Sequence, residues 1–202
     1  MTESLRPPVQ TRCTPEELYR ALGDAWRPLC GSDPSRASLL VLLAHWALET
    51  GFGHSCWCWN FGNVKHVAGD GRNFYQIRCN EIVGGRVVWL DPPNPGCSFR
   101  AFDSIAAGVV DYLTLLRGQF GFAWPQVEAG DPAGFCHALK IRGYYTADEA
   151  SYTAGVVRCF HQIDASIPKE EAPTLPDVAS LSPLTVPPEV GQPTPPEDLT
   201  PV

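Results

Sequence analysis

Apolar side chains recur at helical spacing close to the start of the chain. The positions that share one helical face are Leu18, Leu22, Ala25, Trp26 and Leu29. Just before them, Thr14-Pro15-Glu16-Glu17 has the form of a capping box with proline at the first helical position. The pattern predicts a surface helix that packs this face on a core.

A second helix is predicted from Asp33-Pro34 to Thr50-Gly51, because glycine readily takes the left-handed conformation that ends a helix. Its middle, residues 39–44, reads Leu-Leu-Val-Leu-Leu-Ala and is apolar on every side. A helix without a polar face is expected at the centre of a domain.

Residues 73–90 change to short β-prone runs on either side of Gly84-Gly85, which predicts a β-hairpin with a two-residue glycine turn. Helical patterns resume at 103–117, at 131–141 and at 148–163, with Asp103 and Asp131 as expected N-caps. The predicted fold class is therefore α+β, mainly α, with a central buried helix and a small β-hairpin lobe inserted after it.

The two ends of the chain lack such periodicity. Residues 1–11 are polar with two prolines and are expected to form a flexible segment. Residues 168–202 hold ten of the twenty prolines and no aromatic residue, which predicts a disordered, proline-rich tail. The tail is interpreted as a spacer, with a short motif for an unknown protein partner as the alternative. One folded domain is expected over residues 12–167.

Composition excludes several classes of protein. A content of 44% hydrophobic residues in 202 suits one core and a monomer, and a net charge of -7 excludes a nucleic-acid binder. No segment is long enough to predict membrane insertion, and the start lacks the features of a secretory signal, so synthesis in the cytoplasm is expected. The eight cysteines are then expected as free thiols, with disulfide pairing left open for an oxidising compartment.

Glu49 is the first candidate for chemistry. It closes the strongly apolar helix and is followed by the bend Gly51-Phe52-Gly53. Burial and the negative end of the helix dipole both raise the pKa of a carboxyl group at such a position. A carboxylic acid that stays protonated beside a cleft can protonate a glycosidic oxygen, although most glutamates in a last helical turn are simply solvated.

Four motifs in order carry a resemblance to a known family. Residues 47–55 read A-L-E-T-G-F-G-H-S and residues 60–65 read N-F-G-N-V-K. Residues 99–104 read F-R-A-F-D-S, and residues 142–146 read R-G-Y-Y-T. Together they resemble the bacterial glucosaminidase family of autolysins and flagellar peptidoglycan hydrolases, within the lysozyme-like superfamily.

The resemblance implies roles for particular residues. Glu49 is similar to the family's general acid, and Glu81, in E-I-V-G-G, resembles its second carboxylate, in the β-lobe. Tyr144 matches the tyrosine that lines the family's cleft near the acid, which implies a third catalytic residue whose phenol hydrogen-bonds the sugar or its acetamido group; a buried core tyrosine is the alternative. Tyr145 is its competitor and is predicted to bind substrate. The stretch from Tyr144 to Tyr152 is longer than the family's spacing, which puts Tyr152 in doubt.

The loop after Glu49 offers candidates for substrate binding. An indole face is a natural stacking surface for a sugar ring, so Trp57 and Trp59 are predicted to bind substrate, together with Phe52 and Asn60 of the motifs. The alternative interpretation is that one tryptophan plugs the core and that Asn60 only holds the loop.

A metal centre is considered and set aside. His54-x-Cys56-x-Cys58, with His66 nearby, offers zinc-ligand side chains, but structural sites favour about two to four residues between paired cysteines. We therefore expect no metal and no cofactor. His45 on the predicted central helix is expected to be a core histidine.

The resemblance implies an enzyme that hydrolyses β-1,4 bonds of peptidoglycan glycan strands after N-acetylglucosamine. A muramidase or a lytic transglycosylase of the same fold is the nearest alternative; more distant ones are a non-catalytic cell-wall binding module and a zinc-stabilised interaction protein. Since the substrate lies outside the membrane, we expect the protein to reach the cell wall through lysis, in a virion or by a secretion system.

Overall fold

The computed structural model describes residues 3–169 of the chain. Apart from its first two residues, the proline-rich tail predicted at 168–202 lies outside the described residues. Within them, there are six α-helices, one of them central, and two small antiparallel sheets that form a separate layer. This is the predicted α+β, mainly α, class.

The first two helices begin and end on the signals that the sequence carries. Helix α1 spans Pro15–Cys30, and Thr14 completes a capping box with Glu17. Helix α2 spans Arg36–Thr50 and ends at Gly51, whose φ of 56° is left-handed. The start of α2 is later than predicted, because Ser35 caps it while Asp33 pairs with Arg27.

Helix α2 is the core of the domain. Every residue from Leu39 to Ala47 is buried, as its apolar sequence predicts. The helices that contact it are α1, α4 (Trp124–Ala129), α5 (Pro132–Ile141) and α6 (Glu149–Ser166). Helix α3 (Ile105–Gly118) packs on α1, and its N-cap is Ser104 rather than Asp103, since the Ser104 hydroxyl accepts the Ala107 N–H.

The β layer follows α2 in the chain. Strand β1 (Phe74–Gln76) pairs with β4 (Ser98–Arg100), and β2 (Cys79–Val83) pairs with β3 (Arg86–Leu90). The β2–β3 pair is the predicted hairpin around Gly84-Gly85, with Glu81 opposite Val88. Strands β1 and β4 and helix α4 were not predicted, because three to six residues are too few to show a period.

The N-terminal segment differs from the flexible stretch predicted for residues 1–11. Leu5 forms a bridge with Phe74, and Gln10 forms a bridge with Trp57. The Cys58 N–H also donates to the Val9 carbonyl at 2.8 Å. Residues 5–10 are therefore held on the β layer by backbone hydrogen bonds, which a hydrophobic pattern in the sequence cannot predict.

In the part of the chain that the structure describes, no helix has the length and apolar character needed to cross a membrane.

Candidate active site

Glu49 lies in the last turn of α2, where the buried helix reaches the surface. Its side chain is 20% exposed, and burial raises the pKa of its carboxyl group above the ordinary value. The Tyr152 hydroxyl donates to Glu49 Oε1 at 2.5 Å, which acts in the opposite direction but is the smaller effect. The carboxyl group is therefore biased toward its protonated form.

His45 lies one helical turn before Glu49 and is completely buried, as expected for a core histidine. Its Nδ1 is 2.6 Å from the Tyr112 hydroxyl, and its Nε2 is 3.7 Å from Glu49 Oε1. Burial lowers the pKa of His45 to about 3, so the ring is neutral at the pH of most enzymes.

Tyr152 reaches Glu49 from α6. The close approach of the helices depends on Gly155, because a Cβ at that position would lie 2.8 Å from Leu48 Cδ1. The Tyr152 ring stacks on Tyr145, with 3.6 Å between centroids. The sequence left Tyr152 in doubt on its spacing, and the signal that finds it is its place one turn before a glycine on a helix that packs on α2.

Tyr144 and Tyr145 come from the loop before α6. The Tyr144 hydroxyl donates to the Gly62 carbonyl at 3.2 Å, and its ring packs edge-on against Phe120 and His45. The Tyr145 hydroxyl donates to the Cys136 carbonyl at 3.1 Å. Both tyrosines are held by hydrogen bonds to backbone and by aromatic contacts.

Glu81 lies on strand β2 of the hairpin. Its Oε1 is 2.8 Å from Lys65 Nζ, and the two side chains are 44% and 40% exposed. Lys65 is itself fixed, since Nζ donates to the Gly96 carbonyl at 2.5 Å and lies 4.1 Å from the centroid of the Phe99 ring. The ion pair therefore connects Glu81 to the body of the β layer.

A cleft of about 640 Å³ brings these residues together. It is bounded by the end of α2, the 62–67 loop, β2, the end of α3 and the loop before α6. The predicted site residues that line it are Glu49, Glu81, Tyr144 and Tyr145, joined by Tyr152. Two carboxyl groups with different degrees of exposure thus share one open cavity.

Comparison with known proteins identifies the family to which the chain belongs. Residues 35–165 match the Glucosaminidase family, described as mannosyl-glycoprotein endo-beta-N-acetylglucosaminidase. The chain belongs to the glucosaminidase family. It is a glycoside hydrolase enzyme, and the matched residues run from the cap of α2 into the last turn of α6. No curated protein matches this glucosaminidase.

Solved structures share the fold of this glucosaminidase at low sequence identity. The peptidoglycan hydrolase from Sphingomonas sp. A1 has a TM-score of 0.53 and 22% identity, covering 76% of this chain and 94% of that one. The catalytic domain of the autolysin Auto from Listeria monocytogenes has a TM-score of 0.51 and 14% identity, with 76% and 86% covered.

The other predicted binding residues of the glucosaminidase lie away from the cleft. Asn60 is 1% exposed and bonds the Val64 and Arg100 carbonyls, so it holds the loop, as the alternative interpretation proposed. Trp57 packs on the small core of the β layer, and Trp59 lines a separate cavity beside α1. Phe52 packs edge-on against the buried Trp46.

The backbone conformation of the loop after Glu49 accounts for the positions of Trp57 and Trp59. Phe52, Cys58, Trp59 and Asn63 all adopt positive φ, between 49° and 56°. Such a conformation is uncommon for residues other than glycine, and backbone hydrogen bonds with residues 9–11 of the N-terminal segment fix the loop. Trp57 and Trp59 are therefore not brought to Glu49.

The glucosaminidase does not gather the cysteines and histidines considered for zinc. Cys56 Sγ contacts the Thr11 hydroxyl and the Asn60 carbonyl inside the core, and His54 is exposed. Within residues 3–169, the group that could hold a metal ion is a different one, Glu3, His66 and Asp70, whose ligand atoms lie within 4.8 Å of one another.

Proposed function

We propose that this glucosaminidase hydrolyses β-1,4 glycosidic bonds of peptidoglycan glycan strands on the N-acetylglucosamine side, with Glu49 as general acid. The observation that carries the proposal is that one cleft is lined by both Glu49, whose side chain is 20% exposed, and the more exposed Glu81, at 44%. Glycosidases commonly need one carboxyl group that is protonated and one that is ionised.

Glu49 supplies the proton. Burial favours its neutral form, so the carboxyl can donate to the glycosidic oxygen as the bond to the anomeric carbon breaks. A water molecule then adds to that carbon, and the proton that it loses replaces the one that Glu49 gave, either directly or through Glu81 and solvent. The net reaction consumes one water and leaves the acid ready for another turn.

Glu81 is the second carboxylate. Its ion pair with Lys65 and its contact with water suit an ionised group that faces the positive charge developing on the sugar. Tyr144 supports the site from the opposite wall, next to His45 and at the edge of the cavity. We assign it to packing against the bound sugar, with Tyr145 beside it.

The family description supports the type of bond, a β-N-acetylglucosaminide, and the names of the structural relatives support the choice of polymer. Both structural relatives cited above carry names of cell-wall lytic proteins, a peptidoglycan hydrolase and an autolysin. We therefore place the substrate in the bacterial cell wall, outside the cytoplasmic membrane.

A digest of purified peptidoglycan analysed by mass spectrometry tests the proposal. The expected products end in reducing N-acetylglucosamine. Reducing N-acetylmuramic ends would instead indicate a muramidase, and anhydromuramic ends would indicate a transglycosylase; either result overturns the assigned bond.

Variants in the same digest test the residues. Glu49→Gln is expected to lose at least about a hundredfold in rate, since general acids contribute about 10² to 10⁴. Glu81→Gln is also expected to lose activity, which a mechanism without a second carboxylate would not predict. The matched control is Glu16→Gln on α1, which lies outside the cleft and should digest like the parent.

A further inference from the structure

His45 lies next to Glu49, the proposed general acid, and one of its ring nitrogens has an unusual environment. Its side chain is completely buried, and among the described residues its Nε2 atom has no hydrogen-bond partner. The nearest acceptor is Glu49 Oε1 at 3.7 Å. A buried polar atom without a partner is costly, so the direction in which Nε2 points requires an explanation.

The contacts on the two sides of the ring indicate which nitrogen carries the hydrogen. Nδ1 is 2.6 Å from the Tyr112 hydroxyl oxygen. The atom that faces Nε2 is Glu49 Oε1, which accepts the Tyr152 hydroxyl and therefore presents lone pairs. A hydrogen on Nε2 is favoured over a lone pair there, and the Tyr112 O–H is then the donor to Nδ1. The same hydroxyl lies 3.3 Å from the Leu42 carbonyl, which is the weaker contact.

The neutral ring then carries its single hydrogen on Nε2, directed at Glu49. Glu49 Oε1 also receives the Tyr152 hydroxyl at 2.5 Å. The hydrogen bond from Tyr152 marks Oε1 as the oxygen without a proton, and the Nε2–H dipole at 3.7 Å acts in the same direction. Oε2 has no hydrogen-bond partner among the described residues and is left for the proton.

We propose that His45 is a positioning residue whose neutral Nε2–H, together with the Tyr152 hydroxyl, keeps Oε1 of Glu49 unprotonated and so places the catalytic proton on Oε2. The inference rests on the proposed function, because it concerns the acid that function assigns. His45 itself transfers no proton.

Several other groups lie around this carboxyl and are unchanged in the His45 variants below. Tyr112 on α3, Tyr144 in the loop before α6 and Tyr152 on α6 lie around it. From the β layer and its loops, the charged residues that line the same cleft are Lys65, Glu81 and Arg100.

The first test is the tautomer of His45, read from the ¹⁵N shifts of its ring nitrogens in a long-range NMR spectrum of the intact protein. Five histidines make assignment by single substitution practical. The proposal expects the hydrogen on Nε2; a hydrogen on Nδ1 overturns it. This readout does not use activity, so it separates failure of the proposal from failure of Glu49→Gln to inactivate the enzyme.

The second test is the pH dependence of kcat/KM on solubilised glycan strands. His45→Leu removes a donor that favours the ionised form of Glu49, so the pKa of Glu49 rises. The alkaline limb should move up by about half a unit at most, less than in a variant without the Tyr152 hydroxyl, because Nε2 lies 3.7 Å from Oε1. His45→Gln, whose amide can present an N–H from the same position, should return the alkaline limb to its position in the parent enzyme.

The control is His161→Leu on the exposed side of α6, which should leave the profile unchanged. An alkaline limb of His45→Leu that is unmoved or moves down contradicts the proposal, since a bare Nε2 lone pair would give the downward shift. If His45→Leu does not fold, Tyr112→Phe serves instead, because it frees Nδ1 to take the hydrogen and should also move the limb up.

Discussion

Glu49 and Glu81 line the same cleft but are held by different kinds of structure. Glu49 ends a helix whose residues from Leu39 to Ala47 are all buried. Glu81 lies on a two-stranded hairpin whose neighbouring strand exposes Val87 at 62% and Trp89 at 55%. The Glu49 side chain is mostly enclosed by protein, whereas the Glu81 side chain is about half-exposed and is oriented by its ion pair with Lys65.

The contrast separates two requirements of acid catalysis on a sugar. A neutral carboxylic acid needs desolvation, which only a well-packed helix end provides. A carboxylate that responds to charge on the substrate needs solvent and a fixed direction, which a hairpin with one lysine provides at little cost in packing. The following variants test this division.

The largest expected effect is on the free energy of unfolding, for a substitution in helix α2. Leu43→Ala, at a fully buried position of α2, should lower the free energy of unfolding by about 2 to 5 kcal/mol, because it leaves a cavity. Val87→Ala on the hairpin is the matched control and should change it by about 0.5 kcal/mol or less. Denaturant unfolding of both proteins measures the difference, and equal losses would contradict the division.

The next effect concerns the hairpin. Lys65→Met keeps the alkyl stem on Phe99 but removes the partner of Glu81. Peptidoglycan digestion should fall about tenfold because Glu81 loses its direction, while stability changes by about 1 kcal/mol at most. Arg78→Met breaks an exposed ion pair with Asp91 on the same hairpin and should leave the rate unaltered.

The smallest effect is at Tyr152. Tyr152→Phe removes a donor that favours the ionised form of Glu49, so the pKa of Glu49 rises and activity persists to higher pH. The alkaline limb of the rate profile should move up by about half a unit. Tyr145→Phe, whose hydroxyl contacts Cys136 instead, should not move it; a downward shift for Tyr152→Phe would show that the hydroxyl does not donate to Glu49.

The sequence predicted the elements whose signals are local. The capping box at Thr14, the glycine end of α2 and the Gly84-Gly85 hairpin are confirmed because each depends on a few adjacent residues. Strands β1 and β4 pair residues as distant as Phe74 and Arg100, and such short partners leave no period to detect.

The residues of the candidate site were likewise predicted where the signal is local in the sequence and missed where it depends on tertiary contacts. Glu49 and Glu81 were predicted from motifs, and both line the cleft. Trp57 and Trp59 were predicted to bind substrate because they follow Glu49 closely in the sequence, but Trp57 bridges to Gln10 and neither tryptophan lines the cleft. Tyr152 depended on helix packing at Gly155, which the spacing of residues does not reveal.

The most direct test of the account is the titration of the Glu49 carboxyl itself, followed by its ¹³C resonance and identified by its loss in Glu49→Gln. Burial predicts a midpoint above 4.5, the ordinary value for a glutamate, so that the acid form persists into the range where the enzyme works. A midpoint at or below 4.5 would mean that the carboxyl is ionised there, and Glu49 would not be the proton donor.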